Sequence, residues 1–215
     1  MANVRVTGTA DDIDLIARSF GVVPKMERRP DGMMAGHFEA QAPKIVCLDL
    51  ATTGPDPVED EIVAIAIVDW AGNVLHEGKY RPSRKDLWEA ASEANGIAPD
   101  NQIDLPSFFD DQEKIRGIIW GVDELVVYNA ARIMRFLEYN DTAPNSQTRV
   151  SDTMYEYCRW LGEVNRGLNR LTRIELTDAA ERIGYARGNA PCEPAANALA
   201  CLAVQKWIER QRREE

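Results

Sequence analysis

Residues 45–82 read IVCLDLATTGPDPVEDEIVAIAIVDWAGNVLHEGKYRP. IVCLDL (45–50) is a short, nearly continuous apolar run, as expected of a strand covered on both faces. TTGPDP is a turn. Glu61 to Trp70 (EIVAIAIVDW) forms a second strand, AGN at 71–73 a hairpin turn, and VLHEGKYRP an alternating third strand that stops at Pro82. Downstream, residues 84–106 read as helix and loop, and Asp110 is placed to cap a helix through Ile115, Ile118, Ile119 and Trp120. LVVYN (125–129) is a fourth strand, Ala131 to Tyr139 a helix, and RVS (149–151) a short fifth strand. Asp152 then caps the helix TMYEYCRWLG. DAAERIGY, with Asp178 and Glu181 in capping-box spacing, is a shorter helix, and Pro194 opens the last one, to about Arg212. Ala196, Ala198, Ala200 and Ala203 allow this last helix to pack closely on a sheet. Three hairpin-linked strands followed by helix, strand, helix, strand and helices predict an α/β fold: a mixed five-stranded sheet flanked by helices.

Residues 1–43 read as a small N-terminal appendage, distinct from a main domain over 44–215. NVRVTGT alternates like a strand, Thr9 is placed to cap a helix DDIDLIARSF, and MAGHFEA is a second strand after the turn RRPDGM. There is no repeat and no low-complexity segment. Apolar residues make up 45% and charged residues 28% of the 215, which excludes a disordered, collagenous or coiled-coil chain. No apolar run approaches the ~18 residues of a membrane span. The first residues lack the pattern of a signal peptide, so cytoplasmic residence without membrane attachment is the expectation.

Net charge is −10, against the basic surface usual in proteins that grip long nucleic acid. The charge is uneven. Between Asp86 and Glu113 there are eight acids and no base, whereas Arg159 to Arg187 holds six arginines and four acids. The four cysteines form no CxxC pair and only two histidines exist, His37 and His76, which argues against structural zinc. Cys47 and Cys201 read as small core residues, and the histidines as ordinary surface or half-buried ones. Trp120, Trp160 and Trp207 fall at apolar helical spacings, which leaves Trp88 as the best exposed stacking anchor.

Five segments in order carry a family resemblance. The stretch from Leu48 to Pro82 resembles the first motif, Asp-x-Glu-Thr-Thr-Gly, of the DEDDh (DnaQ-like) 3′–5′ exonucleases. SEANGIAPDNQIDLPSF (92–108), LVVYNAARIMRFL (125–137), SDTMYEYCRWL (151–161) and the third-motif segment from Leu176 to Ile208 are similar to the family's later segments. The resemblance spans about residues 44–209 and implies a ribonuclease-H-like fold. It also implies two-metal phosphodiester hydrolysis, with four carboxylates holding the ions and a histidine as general base. Position by position the implied site is degenerate. Asp49 matches the first Asp, but Ala51 stands at the Glu, Ile133 at the second Asp, Cys192 at the base and Asn197 at the final Asp. Tyr128 replaces the His before Asn129, and Arg132 a Phe. No shift of register supplies another acid: 125–137 holds none, and Glu193 is the only one between Asn189 and Gln205.

Loss of the base alone costs ~10²–10⁴ in rate, and loss of ligands removes the Lewis-acid contribution as well. The expectation is therefore a catalytically degenerate protein with no cofactor, at most weak Mg²⁺ or Mn²⁺ at Asp49. A nucleotide pocket formed by Thr52, Thr53, Gly54, Tyr128 and Asn129 is expected to persist, with Arg166, Arg170 and Arg173 as nucleic-acid contacts. The partners expected are single-stranded nucleic acid or a protein of a nucleic-acid-processing complex, and a homodimer stays open. The alternatives are a weak or unconventional metal-dependent exonuclease, and an acidic regulatory subunit docking a nucleic-acid-binding protein.

Overall fold

A computed structural model describes residues 2–11, 13, 17, 24–40, 45–99, 104–162, 164–165, 170–171, 173–186 and 193–214. The chain divides into two compact units, Met1–Lys44 and Ile45–Glu215.

The first unit carries a three-stranded antiparallel sheet of β1 (Ala2–Gly8), β2 (Lys25–Arg28) and β3 (Met34–Ala40), in the order β1-β3-β2. Ala10, Asp11, Ile13 and Ala17 are helical, and Ile13 and Ala17 are fully buried. Gly36 is required there, because a Cβ on it would meet Ile13 Cγ2 at 2.1 Å. The sequence reading missed β2. All four residues of KMER are exposed, so the strand shows no apolar alternation and is held by its ladder to β3 alone.

The second unit is built on a mixed five-stranded sheet, ordered β6-β5-β4-β7-β8. Its strands are β4 (Ile45–Thr52), β5 (Ile62–Asp69), β6 (Val74–Lys79), β7 (Glu124–Val127) and β8 (Arg149–Asp152). β4, β5 and β6 are antiparallel neighbours, while β7 runs parallel to β4 and β8 parallel to β7. The helices are α1 (Glu89–Asn95), α2 (Phe108–Trp120), α3 (Ala130–Tyr139), α4 (Thr153–Leu161), α5 (Leu176–Arg182) and α6 (Pro194–Glu214). This is the mixed five-stranded sheet that the element order predicts.

The period of two along β4 sends alternate residues to opposite faces. Val46, Leu48 and Leu50 join Ile115 and Ile119 of α2 and Ile133, Phe136 and Leu137 of α3. Cys47 joins Tyr157 and Cys158 of α4 and Ala198, Cys201, Leu202 and Ile208 of α6. Asp49 and Ala51 share the parity of Cys47, and so they belong to the face that α6 covers. Burial pushes the Cys47 thiol well up, with Cys201 beside it adding to the effect, so it acts as a packing residue.

Several local expectations are corrected. α2 starts earlier than read, with Ser107 as its cap. The Ser107 hydroxyl and the Asp110 carboxylate form a capping box, and Asp110 is its fourth member rather than its first. α5 begins at Leu176 with Glu175 at the cap position, two residues before the Asp178 start. A short antiparallel ladder that the sequence reading did not anticipate pairs β9 (Val164–Asn165) with β10 (Arg170–Leu171). Trp88 is buried, at 6% exposure, with its indole N–H donating to the Ile97 carbonyl at 2.9 Å, so it is no exposed anchor. Trp120 is 55% exposed instead, and Trp160 stands edge-on to the partly buried Trp207 at the surface. His76 is buried at 4% exposure. Its Nε2 lies 2.9 Å from the Tyr80 hydroxyl, which donates to Asp111.

Candidate functional site

The loop after β4, the end of β7 with the start of α3, the start of α5 and the start of α6 converge on one cavity of about 530 Å³. Its lining includes Asp49, Ala51, Thr52, Gly54, Tyr128, Asn129, Arg132, Arg173, Glu175, Thr177 and Asn197. Seven of these are positions the sequence reading placed in the degenerate site or the nucleotide pocket, and Arg173 is one of its nucleic-acid contacts. Arg166 and Cys192 lie outside the described residues. Of Arg170 only the backbone, in β10, is described.

The sheet explains why these residues meet. β4 and β7 run parallel in adjacent register, from Ile45 opposite Glu124 to Leu48 opposite Val127, so their carboxyl ends open side by side. Asp49 sits in β4 just past its pairing with β7, and Tyr128-Asn129 follow the end of β7. α6 then crosses the same face and delivers Asn197 one turn from its start. The Asn197 side-chain Nδ2 donates to Asp49 Oδ2 at 2.8 Å. A carboxylate at this strand end is therefore engaged by a carboxamide of the chain itself.

Asn129 has a left-handed backbone, φ 69° and ψ 68°, a conformation that asparagine tolerates better than most residues. The Asp152 carboxylate holds it there. Its Oδ1 accepts from the Asn129 N–H at 3.1 Å and its Oδ2 from the Ala130 N–H at 3.0 Å. The same side chain caps α4 through the N–H groups of Met154 and Tyr155. The expected cap is present and serves two helix starts. Tyr128, in place of the family's histidine, donates its hydroxyl to the Ile174 carbonyl at 2.8 Å. Burial, followed by the nearby Cys158, pushes the Tyr128 phenol up, so it stays neutral and acts as a buried wall.

The turn TTGPDP is rigid. Thr52 Oγ1 donates to the Gly54 carbonyl at 2.6 Å, and Thr53 Oγ1 to Asp60 at 3.1 Å. Asp60, almost fully buried, also accepts from the Asp56 N–H and pairs with Lys85. Burial works to raise the Asp60 carboxyl, but these hydrogen bonds and Lys85 outweigh it and hold the group below the usual carboxylate range. Thr53, expected in the pocket, is turned inward to this network and does not line the cavity.

Ile133 is likewise not among the lining residues. It is 2% exposed and packs in the core with Leu48, Leu50 and Phe136. Its neighbour Arg132 lines the cavity, and Arg132 Nη2 donates to Thr52 Oγ1 at 3.2 Å. Arg132, Glu175 and Thr177 were not singled out as site residues from the sequence. The inward triad Ile133, Phe136 and Leu137 fixes how α3 is rotated and is the signal from which Arg132's position follows. Glu193, the nearest stray acid of α6, pairs with Lys79 at 2.9 Å and lines no part of the cavity.

A two-metal centre needs several oxygen ligands of like charge. The described lining offers two carboxylates. Asp49 accepts from Asn197, and Glu175 Oε1 lies 3.5 Å from Arg173 Nε. Among the described residues no group of three or more His, Cys, Asp or Glu side chains converges to hold a metal ion. The donor set does not fit a pair of divalent ions.

Residues 46–186 match the exonuclease family of the RNase T type, and the chain belongs to this DnaQ-like exonuclease family. No curated protein sequence matches it. Among solved structures, E. coli exonuclease I in complex with a dA16 oligonucleotide is similar at 16% identity with a TM-score of 0.62, covering 79% of this chain and 41% of that one. Exonuclease I from Methylocaldum szegediense is similar at 17% identity and TM-score 0.56, covering 80% and 41%. A 3′-exonuclease that recognises the end of a histone mRNA stem-loop is similar at 15% identity and TM-score 0.56, covering 80% and 65%. The chain thus spans about two fifths of the length of the exonuclease I proteins it matches. These likenesses establish the ribonuclease-H-like fold.

Proposed function

We propose that this chain holds the ends of single-stranded nucleic acid in the cavity beside Asp49 without hydrolysing them. The observation that carries the reading is the 2.8 Å hydrogen bond from Asn197 to Asp49, where the family's chemistry requires two ligating carboxylates. Ala51 contributing a methyl group and Ile133 buried in the core support the same reading, since among the described residues neither adds a ligand to the cavity. One similar structure is a complex with a dA16 oligonucleotide and another concerns 3′-end specific recognition of a histone mRNA stem-loop, which supports a nucleic-acid ligand for the same fold.

The test is a paired assay on a labelled dT oligonucleotide and its RNA counterpart, in EDTA and in Mn²⁺. Binding in both conditions without shortening of the strand is the expected result. Metal-dependent shortening restores the exonuclease alternative. A protein that ignores both strands at ~50 mM salt, where phosphate contacts are strongest, leaves docking of a protein partner by the acidic chain as the surviving reading.

A further inference from the structure

We infer that the cavity recognises the phosphate of a terminal nucleotide through Arg132, seconded by Arg173, in place of metal ions. This rests on the reading above and names the chemistry by which the same site would hold its ligand. The lining's charges are balanced by side chains: Asp49 and Glu175 against Arg132 and Arg173. Both carboxylates already have partners: Asp49 accepts from Asn197, and Glu175 is paired with Arg173. Arg132 is different. Among the described residues it forms no ion pair, and its one side-chain hydrogen bond is to a neutral hydroxyl, Thr52 Oγ1. That bond orients the guanidinium at the cavity wall and leaves its other N–H groups for an acceptor.

Three features make a phosphate the matching ligand. A guanidinium presents its donors in a planar fork that suits two phosphate oxygens at once. The hydroxyl that orients it belongs to the turn fixed by Thr53, Asp60 and Lys85, so Arg132 is held by a rigid element. The volume, about 530 Å³, lies within the range of pockets for small ligands. Neutral groups of the same lining, notably Asn129 and Thr177, offer donors and acceptors to a sugar or base without adding negative charge. In an ion-dependent exonuclease a phosphate would be met by divalent cations. Here a fixed cation stands on the wall of the corresponding cavity, so recognition is independent of chelators.

The ligand chemistry has two sources, a free 5′-mononucleotide or the end of a strand. Calorimetry in EDTA with dTMP, thymidine, inorganic phosphate and a dT oligonucleotide separates them. Wild type is expected to bind dTMP and the oligonucleotide, and thymidine at least tenfold more weakly. Arg132→Gln is expected to weaken both phosphate ligands about tenfold to a hundredfold, the range for a hydrogen bond to a charged group, with an unchanged melting temperature. Arg132→Lys keeps the charge without the fork and should fall between. Equal affinity of wild type and Arg132→Gln for the oligonucleotide overturns this inference and leaves strand binding standing. Binding of dTMP alone keeps the phosphate site and overturns strand binding. Binding that EDTA abolishes overturns the metal-free site.

Discussion

Replacing Asn197 by aspartate changes one atom group at the centre of the cavity and should convert a stabilising contact into a repulsive one. The lost interaction is a 2.8 Å hydrogen bond from a carboxamide to the Asp49 carboxylate, of a kind that contributes about 1.5–3 kcal/mol. Two carboxylates would then face each other. At 4 Å and an effective dielectric near 20 their repulsion is about 4 kcal/mol, but Asp49 is only half-buried, and solvent screening removes much of it. A net loss of about 2–4 kcal/mol follows, which for a chain of this size lowers Tm by roughly 5–15 °C. The assay is thermal unfolding of Asn197→Asp and wild type in EDTA, repeated from about pH 7.5 to pH 5. Repulsion raises the folded-state pKa of the variant pair above its unfolded value. Stability is therefore present below the unfolded pKa and lost as pH rises through the folded one, so the variant should recover on acidification relative to wild type. Added Mn²⁺ should raise the variant's Tm more than that of wild type. A variant that melts within about 1 °C of wild type in EDTA at neutral pH would refute the view that Asn197 stabilises Asp49.

Ile133→Asp, the change that would restore a second family carboxylate, puts a charge into a site of 2% exposure among Leu48, Leu50 and Phe136. It should destabilise by more than ~3 kcal/mol, seen as a lowered urea midpoint. Gly54→Ala would bring a Cβ to 2.5 Å from both Asp60 carboxylate oxygens, which are already committed to Thr53, Asp56 and Lys85. A loss of about 1–3 kcal/mol is expected, together with weaker strand binding, and unchanged Tm and affinity would contradict the rigid turn. Burial depresses the His76 pKa first, the positive Lys114 adds to this, and Asp111 opposes it. A depressed folded-state value means the neutral form stabilises the fold, and stability falls as pH drops below the ordinary value of about 6.5. Wild type should therefore lose more Tm between about pH 7.5 and 5.5 than His76→Gln, and parallel curves would argue against this role.

What the sequence made legible follows from how local each signal is. β4 and β5 are apolar on both faces because helices cover both, and such runs stand out. Asp152 at the start of α4 is a cap by its immediate neighbours. Asp49, Tyr128, Asn129 and Asn197 could be placed together because the family's order of motifs encodes their convergence. The failures depend on distant packing. Trp88 sits in an acidic segment that looks exposed, yet its indole is received by Ile97, nine residues on. Trp120 ends α2 on the face turned away from the fully buried Ile115 and Ile119, so it is exposed. His76 lies on an alternating strand at the sheet edge, and its burial comes from α2 through Asp111 and Tyr80. Arg132 was legible as a departure from the family motif, and the inward triad of Ile133, Phe136 and Leu137 carries its place in the cavity, but the motif comparison weighed only the missing acid at Ile133.

The double service of Asp152 has a consequence for the order in which the molecule assembles. The first turn of α3 is pinned by a residue 23 positions later in the chain, on the edge strand of the sheet. Until β8 docks beside β7, the left-handed Asn129 has no carboxylate to hold it, and the wall that carries Arg132 is not set. Formation of this wall therefore waits on a non-local strand pairing, which is slow relative to helix growth. The same dependence runs in reverse in the native protein. When the four-residue β8 frays, the amides of Asn129 and Ala130 lose their acceptor together with it. Their hydrogen exchange should keep pace with that of β8 rather than with the later turns of α3, so the time during which the cavity is open to remodelling is set by the lifetime of a strand at the sheet's edge.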